Sequence, residues 1–405
     1  MTKTTAAGRT FVAFAFAIGV GVAFQANLVG QSGAYFPPRG EWQTRKPDES
    51  GMDAAKLDAA IKFAIANENP ATKDLAIDLA TTFGREPFDT PIGPVKARGA
   101  LNGLVIHKGH VVAQWGDTSR VDMTFSVTKS FLSTVVGLAW QRGLIKNVTD
   151  RVRDYVPHDE PGALFEGPHN SAITWEHLLR QTSDWQGTLW EKPDWADRPE
   201  GERPSDWPNR KLNEPGTRYK YNDVRVNVLA LAALHVWRRP LPQILRDEIM
   251  EPIGASSTWR WYGYDNAWIV LDGTRIQSMT GGGHWGGGMF ISAWDMARFG
   301  YLFLRNGRWN DRELVSPKWI DMARSPGPAN QNYGYMNWFL NTARKPLPSA
   351  PASAVTFQGN GSNIIYIDWE NDLVVVVRWI QQRALDDFLG RVLGSLTTTS
   401  SSSAR

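Results

Sequence analysis

The chain has 405 residues, 42% of them hydrophobic and 21% charged, an ordinary globular balance with ample material for a large core. Its 44 basic and 41 acidic residues leave a net charge of +3 without long runs, which argues against a nucleic-acid partner despite an isoelectric point near 9.0. Cysteine is absent, which excludes disulfides, thiolate catalysis and thiolate metal sites; the seven histidines show no H-E-x-x-H or H-x-H spacing, so neither a metal nor a cofactor is expected.

Met1–Ala34 reads as an export segment. Lys3 and Arg9 precede an apolar run, Phe11–Phe24, whose length suits a signal peptide better than a membrane span. Gly21-Val22-Ala23 and Ser32-Gly33-Ala34 offer small residues for cleavage. The alternative is an uncleaved N-terminal membrane anchor. Either reading makes the rest of the chain periplasmic or secreted. Tyr35–Glu49 is Pro-rich and predicted to be extended, and Met52–Asn67 has helical periodicity. Gly103–Trp115 alternates apolar and polar residues around Lys108-Gly109, which predicts a β-hairpin.

Met123–Gly143 is the stretch that carries chemistry. Phe131, Leu132, Val135, Val136, Leu138 and Ala139 recur at helical spacing, and Gly143 is a stop signal. The helix is apolar nearly all round, hence buried. Ser126-Val127-Thr128-Lys129 opens it. In the first helical turn Ser126 would meet unpaired N–H groups and the positive end of the helix dipole. Lys129 lies one turn on, on the same face, within reach of the serine proton. Ser126 is therefore a candidate nucleophile and Lys129 its candidate base. A Ser-x-x-Lys is expected roughly once by chance in a chain this long, so by itself it reads equally as a capping serine and a solvated lysine.

Ile173–Gln181 predicts a helix capped by Thr174. The Trp185–Trp207 segment is rich in tryptophan and proline with no clear period. It is either a loop pinned by aromatics or a wall over an apolar substrate site, with Trp190 a candidate contact. Glu214–Thr217 is a turn, Val224–Trp237 a second apolar helix, and Asp295–Leu304 a third. Gly281–Gly288, GGGHWGGG, is too glycine-rich for regular structure and lacks the Lys-Ser/Thr of a phosphate loop. Thr356–Ile380 predicts strands joined by a Trp369–Asp372 turn. Residues 397–405 are a Ser/Thr-rich tail expected to be disordered.

The order of Ser126-x-x-Lys129, Pro215-Gly216-Thr217 leading to Tyr221, the Gly286–Phe299 stretch and the closing hairpin resembles the serine β-lactamase and penicillin-binding-protein superfamily. The Ile173-Thr174-Trp175 to Thr182-Ser183 phrase fits too. Within the superfamily the chain is most similar to the class C-like branch, which includes carboxylesterases and 6-aminohexanoate-dimer hydrolases. The resemblance spans about residues 45 to 390. It implies an α/β (α+β) fold: an antiparallel sheet built from both chain ends, flanked by helices, with a mostly helical lobe inserted over about 127–275.

The resemblance also implies roles. The family's Tyr-x-Asn aligns with Tyr221-Asn222-Asp223, making Tyr221 the general acid/base, its phenol acidified by the Lys129 ammonium. Asp223 stands where the family has asparagine. A carboxylate there would keep Lys129 protonated and shift the base role to Tyr221. Lys-Thr-Gly aligns with Phe357-Gln358-Gly359: the glycine is kept, the lysine and threonine are not. Asn360 and Ser126 would supply the oxyanion-hole N–H groups. Asp223, Phe357, Gln358, Gly359 and Trp190 are the expected substrate contacts. The expected activity is that of an exported serine hydrolase on small-molecule esters or amides. The alternatives are a true β-lactamase or DD-peptidase, whose substrate carboxylate would need Arg225 or Arg378, and a non-turnover β-lactam sensor or pseudo-enzyme. A membrane association would come only through an uncleaved N-terminal segment.

Overall fold

Two tight turns set the register of the central sheet. Lys108 and Gly109 both have positive φ, 50° and 83°, the geometry of a two-residue turn whose twist matches the strands on either side. They join β1 (Asn102–His107) to β2 (His110–Trp115) as the alternation predicts. Near the other chain end β3 (Phe339–Leu340), β4 (Val355–Gly359), β5 (Asn363–Asp368) and β6 (Leu373–Arg378) follow. In this computed structural model they form one six-stranded antiparallel sheet in the order β3-β4-β5-β6-β1-β2. Both chain ends therefore build the sheet. The structure describes Met1, residues 33–159 and residues 162–397. Tyr35–Arg405 form one compact unit and Met1–Ala34 another. The expected export signal, up to residue 32, and the tail beyond Thr397 lie outside the described residues. Thr397 itself is tied down, donating through Oγ1 to the Gly51 carbonyl at 2.9 Å.

The sheet is covered on both faces, which is why its strands read as almost continuous apolar runs. On one face Val105, Ile364, Tyr366, Val375 and Val377 pack with α1 (Ala54–Ala66) and, at the far end of the chain, Phe388, Leu389 and Val392 of the Leu385–Leu393 helix. Between them in sequence comes α2 (Leu75–Phe83), capped by Asp74, which the sequence reading did not pick out. On the other face Leu104, Ile106, Ile365, Ile367, Val374 and Val376 join the larger core. That core holds α3 (Thr128–Gln141), α4 (Asp223–Trp237) and α5 (Ala293–Leu304). Gly300 lets α5 lie close on the sheet, since a Cβ there would sit 2.6 Å from Ile365. Every α3 residue from Thr128 to Ala139 is buried, as the all-round apolar pattern requires.

The helix predicted over Ile173–Gln181 is shorter than expected. The helix after Ile173 covers Trp175–Leu179, with Thr174 accepting from the His177 N–H and His177 reaching back to the cap. The Pro-rich entry segment ends in one helical turn, Pro47–Ser50. Among the described residues no helix is long and apolar enough to cross a membrane.

Candidate active site

Ser126 lies in a single 3-10 turn, Phe125–Val127, just ahead of α3. Phe125 takes φ 48°, a costly left-handed conformation for an aromatic residue. The turn is pinned by Thr128, whose hydroxyl bonds the Phe125 carbonyl and accepts from the Met289 N–H at 2.9 Å. Lys129, on the first turn of α3, is fully buried and aims Nζ at Ser126 Oγ, 2.7 Å away. It also donates to the Gly281 carbonyl at 3.2 Å and lies 2.7 Å from Asp223 Oδ1.

Tyr221 enters from the other central helix. Asn222 caps α4, accepting from the Arg225 N–H at 3.0 Å, so Tyr221 sits just outside the helix and Asp223 in its first turn. Tyr221 lies close enough to Ser126 for the serine hydroxyl to favour its phenolate. Lys129 and Arg198 lie 5.0 and 5.1 Å from its ring centre. The structure thus brings Ser126, Lys129, Tyr221 and Asp223 together.

The electrostatics differ from the expectation for Tyr221. Burial pushes the phenol well above its usual range and the Asp223 carboxylate pushes further; the Ser126 hydrogen bond and Arg198 oppose without winning. The resting phenol is protonated. Burial alone would also raise Asp223, but Lys129, then Arg198 and His284, hold it well below the usual carboxylate range.

The third motif is corrected at two positions. Phe357 is fully buried, packed against Phe299, Phe303 and Trp338, so it faces the core and no substrate. Strand alternation turns Gln358 to the opposite face of β4, where its amide donates to Thr356 Oγ1 at 2.6 Å. Gly359 is closely packed: a Cβ there would strike the Thr124 carbonyl at 2.1 Å and lie 3.3 Å from the Ser126 nitrogen. The β4 backbone therefore runs against the nucleophile, and Asn360 follows in the half-buried turn.

Asp223 and Trp190 are corrected as substrate contacts. Asp223 is 2% exposed and enclosed by cations. Trp190 is half-buried and lines a separate cavity of about 430 Å³ with Leu189, Leu231 and Ile269, which does not include Ser126. Trp185 is core. What the Trp-rich segment sends to the site is Asp197 and Arg198. Arg225 and Arg378 cannot meet a substrate carboxylate. Arg225 is buried on Asp184 and Asp194, and Arg378 holds the Ile291 and Met123 carbonyls.

The glycine-rich stretch is the largest omission of the sequence reading. Its backbone crosses the Lys129–Asp223 pair at closest approach. A Cβ on Gly281 would meet Val226 at 2.3 Å, and one on Gly283 would meet Asp223 at 2.5 Å. His284 then stacks on Phe83 of α2, ring centres 4.4 Å apart. Its Nδ1 lies 3.3 Å from Asp223 Oδ2 and its Nε2 3.3 Å from Glu86 Oε2. Burial works against its charge, but Asp223, Glu86 and Asp197 raise it to about 9. Glu86, Asp197 and His284 place donor atoms within 4.8 Å of one another. The two imidazole nitrogens point at different carboxylates and Arg198 occupies Asp197, which makes this an ion-pair cluster.

A family model described as Beta-lactamase matches residues 95–388, well over half of the chain and including Ser126, Lys129, Tyr221 and Asp223. The chain belongs to the β-lactamase family. Solved structures agree in fold. A β-lactamase from Mycobacterium bovis is 22% identical, covering 75% of this chain and 94% of its own, with a TM-score of 0.51. A family VIII carboxylesterase is 14% identical, covering 85% and 99%, with a TM-score of 0.53. A penicillin-binding protein homolog from Caulobacter crescentus is 13% identical over the same shares, also at 0.53. No curated protein matches the sequence. This β-lactamase-family chain keeps the Ser-x-x-Lys and the tyrosine, and carries Asp223, Phe357 and Gln358 where the sequence comparison expects Asn, Lys and Thr.

Proposed function

We propose that this β-lactamase-family hydrolase is an exported serine hydrolase acting through an acyl-enzyme on small esters or amides. The observation that carries the reading is Ser126 Oγ 2.7 Å from Lys129 Nζ, with the Tyr221 ring centre 5.0 Å from the same nitrogen. Ser126 would add to the substrate carbonyl while its proton passes to the Lys129–Tyr221 pair. The pair then protonates the leaving alcohol or amine, and water repeats the sequence to release the acid. The N–H groups of Ser126 and Asn360 would face the oxyanion.

The preference for uncharged substrates rests on β4. A penicillin-like carboxylate needs a cation and hydroxyls on that edge. Here Phe357 points into the core and Gln358 bonds along its own strand to Thr356, and Arg225 and Arg378 are buried on other partners. A missing charge-assisted bond costs about 1.5–3 kcal/mol, roughly 10- to 150-fold in affinity. The test compares kcat/KM for p-nitrophenyl butyrate with that for nitrocefin. The ester should win. A tenfold or larger advantage for nitrocefin would instead identify a β-lactamase or DD-peptidase. A one-equivalent burst without turnover would identify a sensor. Export rests on Lys3, Arg9 and Phe11–Phe24, and cell fractionation with N-terminal sequencing of the mature protein tests it.

A further inference from the structure

We propose that His284, with Arg198, is a positioning residue for the Lys129–Tyr221 base, holding the second oxygen of Asp223 so that the carboxylate does not lock the proton on the pair. This rests on the serine-hydrolase reading above. The difficulty it answers is built into the sequence. An aspartate 2.7 Å from Lys129 stabilises the ammonium, and the same charge raises Tyr221. Tyr221 holds its proton more tightly for that charge, yet the pair has to accept the Ser126 proton.

The geometry supplies a counterweight. Asp223 presents Oδ1 to Lys129 and Oδ2 to two other cations, His284 Nδ1 at 3.3 Å and Arg198 Nη1 at 3.4 Å. Its backbone N–H donates to Asp197. The groups around His284 come from every neighbouring segment. Glu86 follows α2, Asp197 and Arg198 come from the Trp-rich segment, and Asp223 opens α4; the Phe83 and Trp285 rings close the remaining sides. Glu86 and Asp197 keep the imidazole cationic at neutral pH, consistent with its elevation to about 9. Gly283, which could not carry a side chain without striking Asp223, is what lets the histidine reach this position. Asp223 and His284 thus act in opposition: the carboxylate tightens the Tyr221 proton, and the imidazolium on its other oxygen offsets that charge.

The test is the pH dependence of the rate at which a fluorophosphonate probe labels Ser126, which needs no knowledge of the substrate, with kcat/KM on p-nitrophenyl butyrate read in parallel. Labelling requires the pair to accept a proton, so the acid limb reports the pair's apparent pKa. In His284→Gln that limb should move to higher pH by roughly 0.5–1 unit, as loss of a charge at this range predicts in a partly screened site. In Asp223→Asn it should move to lower pH. In the double variant His284→Gln should add no further shift, because its effect passes through Asp223. If His284→Gln does not fold, Glu86→Gln, which weakens the imidazolium from its far side, should move the limb in the same direction by less. A lower rate with an unmoved limb, or equal shifts from His284→Gln with and without Asp223, overturns this inference and leaves the hydrolase reading standing. No labelling of the unaltered protein at any pH overturns both.

Discussion

Lys129 Nζ sits 2.7 Å from Ser126 Oγ and 2.7 Å from Asp223 Oδ1, so one ammonium joins the nucleophile to a buried carboxylate on the neighbouring central helix. That link ties α3 to α4 and makes the site a structural as well as a chemical unit. Breaking one partner leaves an uncompensated buried charge, which is costly.

Ser126 should be the sole covalent site. Ser126→Ala is expected to lower kcat by roughly 10³ or more, the usual consequence of removing a nucleophile. Mass spectrometry after fluorophosphonate treatment should show a single adduct on the unaltered protein and none on the variant. Near-normal turnover by Ser126→Ala would remove the mechanism.

Lys129 and Tyr221 should lose activity as one unit. Lys129 bonds Ser126, and its ammonium nitrogen lies 5.0 Å from the Tyr221 ring centre. Steady-state kinetics of Lys129→Ala, Tyr221→Phe and the double variant should show the double little worse than the weaker single, since groups on one proton path are non-additive. Losses that multiply would assign them to separate steps.

Phe357→Ala should act on stability. The ring is wedged between Phe299, Phe303 and Trp338, and removing it costs about 3–5 kcal/mol. Thermal unfolding should shift down by several degrees, while KM across an acyl-length series stays flat. Trp190→Ala should likewise leave that series unchanged. A KM that climbs with acyl length in either variant would return these rings to the cleft.

Two histidines should shape the stability profile from opposite sides. His107 is buried with Nδ1 3.0 Å from Ser50 Oγ, and burial lowers it to about 4 from 6.5. The folded state disfavours its charge, so its stabilisation is present above pH 6.5 and lost as pH falls towards 4. His284 is raised from 6.5 to about 9, so its stabilisation is present below pH 6.5 and lost as pH rises through 9. Thermal shift assays should show His107→Gln flattening the acid side alone and His284→Gln the alkaline side alone. The reverse assignment would contradict the ion-pair geometry around His284.

Local signals were sufficient for the first hairpin and the central helices, though not for α2. Alternation and a Lys-Gly turn specified the first hairpin, because strand period and turn chemistry are decided within a few residues. An all-round apolar pattern specified α3 as buried, and Ser126 and Lys129 met because one helical turn fixes their spacing. The spaced motifs brought Tyr221 to the same point. The sequence by itself could not decide which way a side chain leaves a strand at a sheet edge. Phe357 and Gln358 were aligned by motif, but their directions follow from the register of β4 against β5 and from the aromatic bed offered by α5. Nor could it weigh Asp223. A carboxylate beside a lysine looks like an obstacle until Arg198 and His284, 25 residues before and 61 after it in the chain, are folded onto its other oxygen. Charge balance in a buried site is a sum over groups distant in sequence, and only the tertiary structure performs that sum.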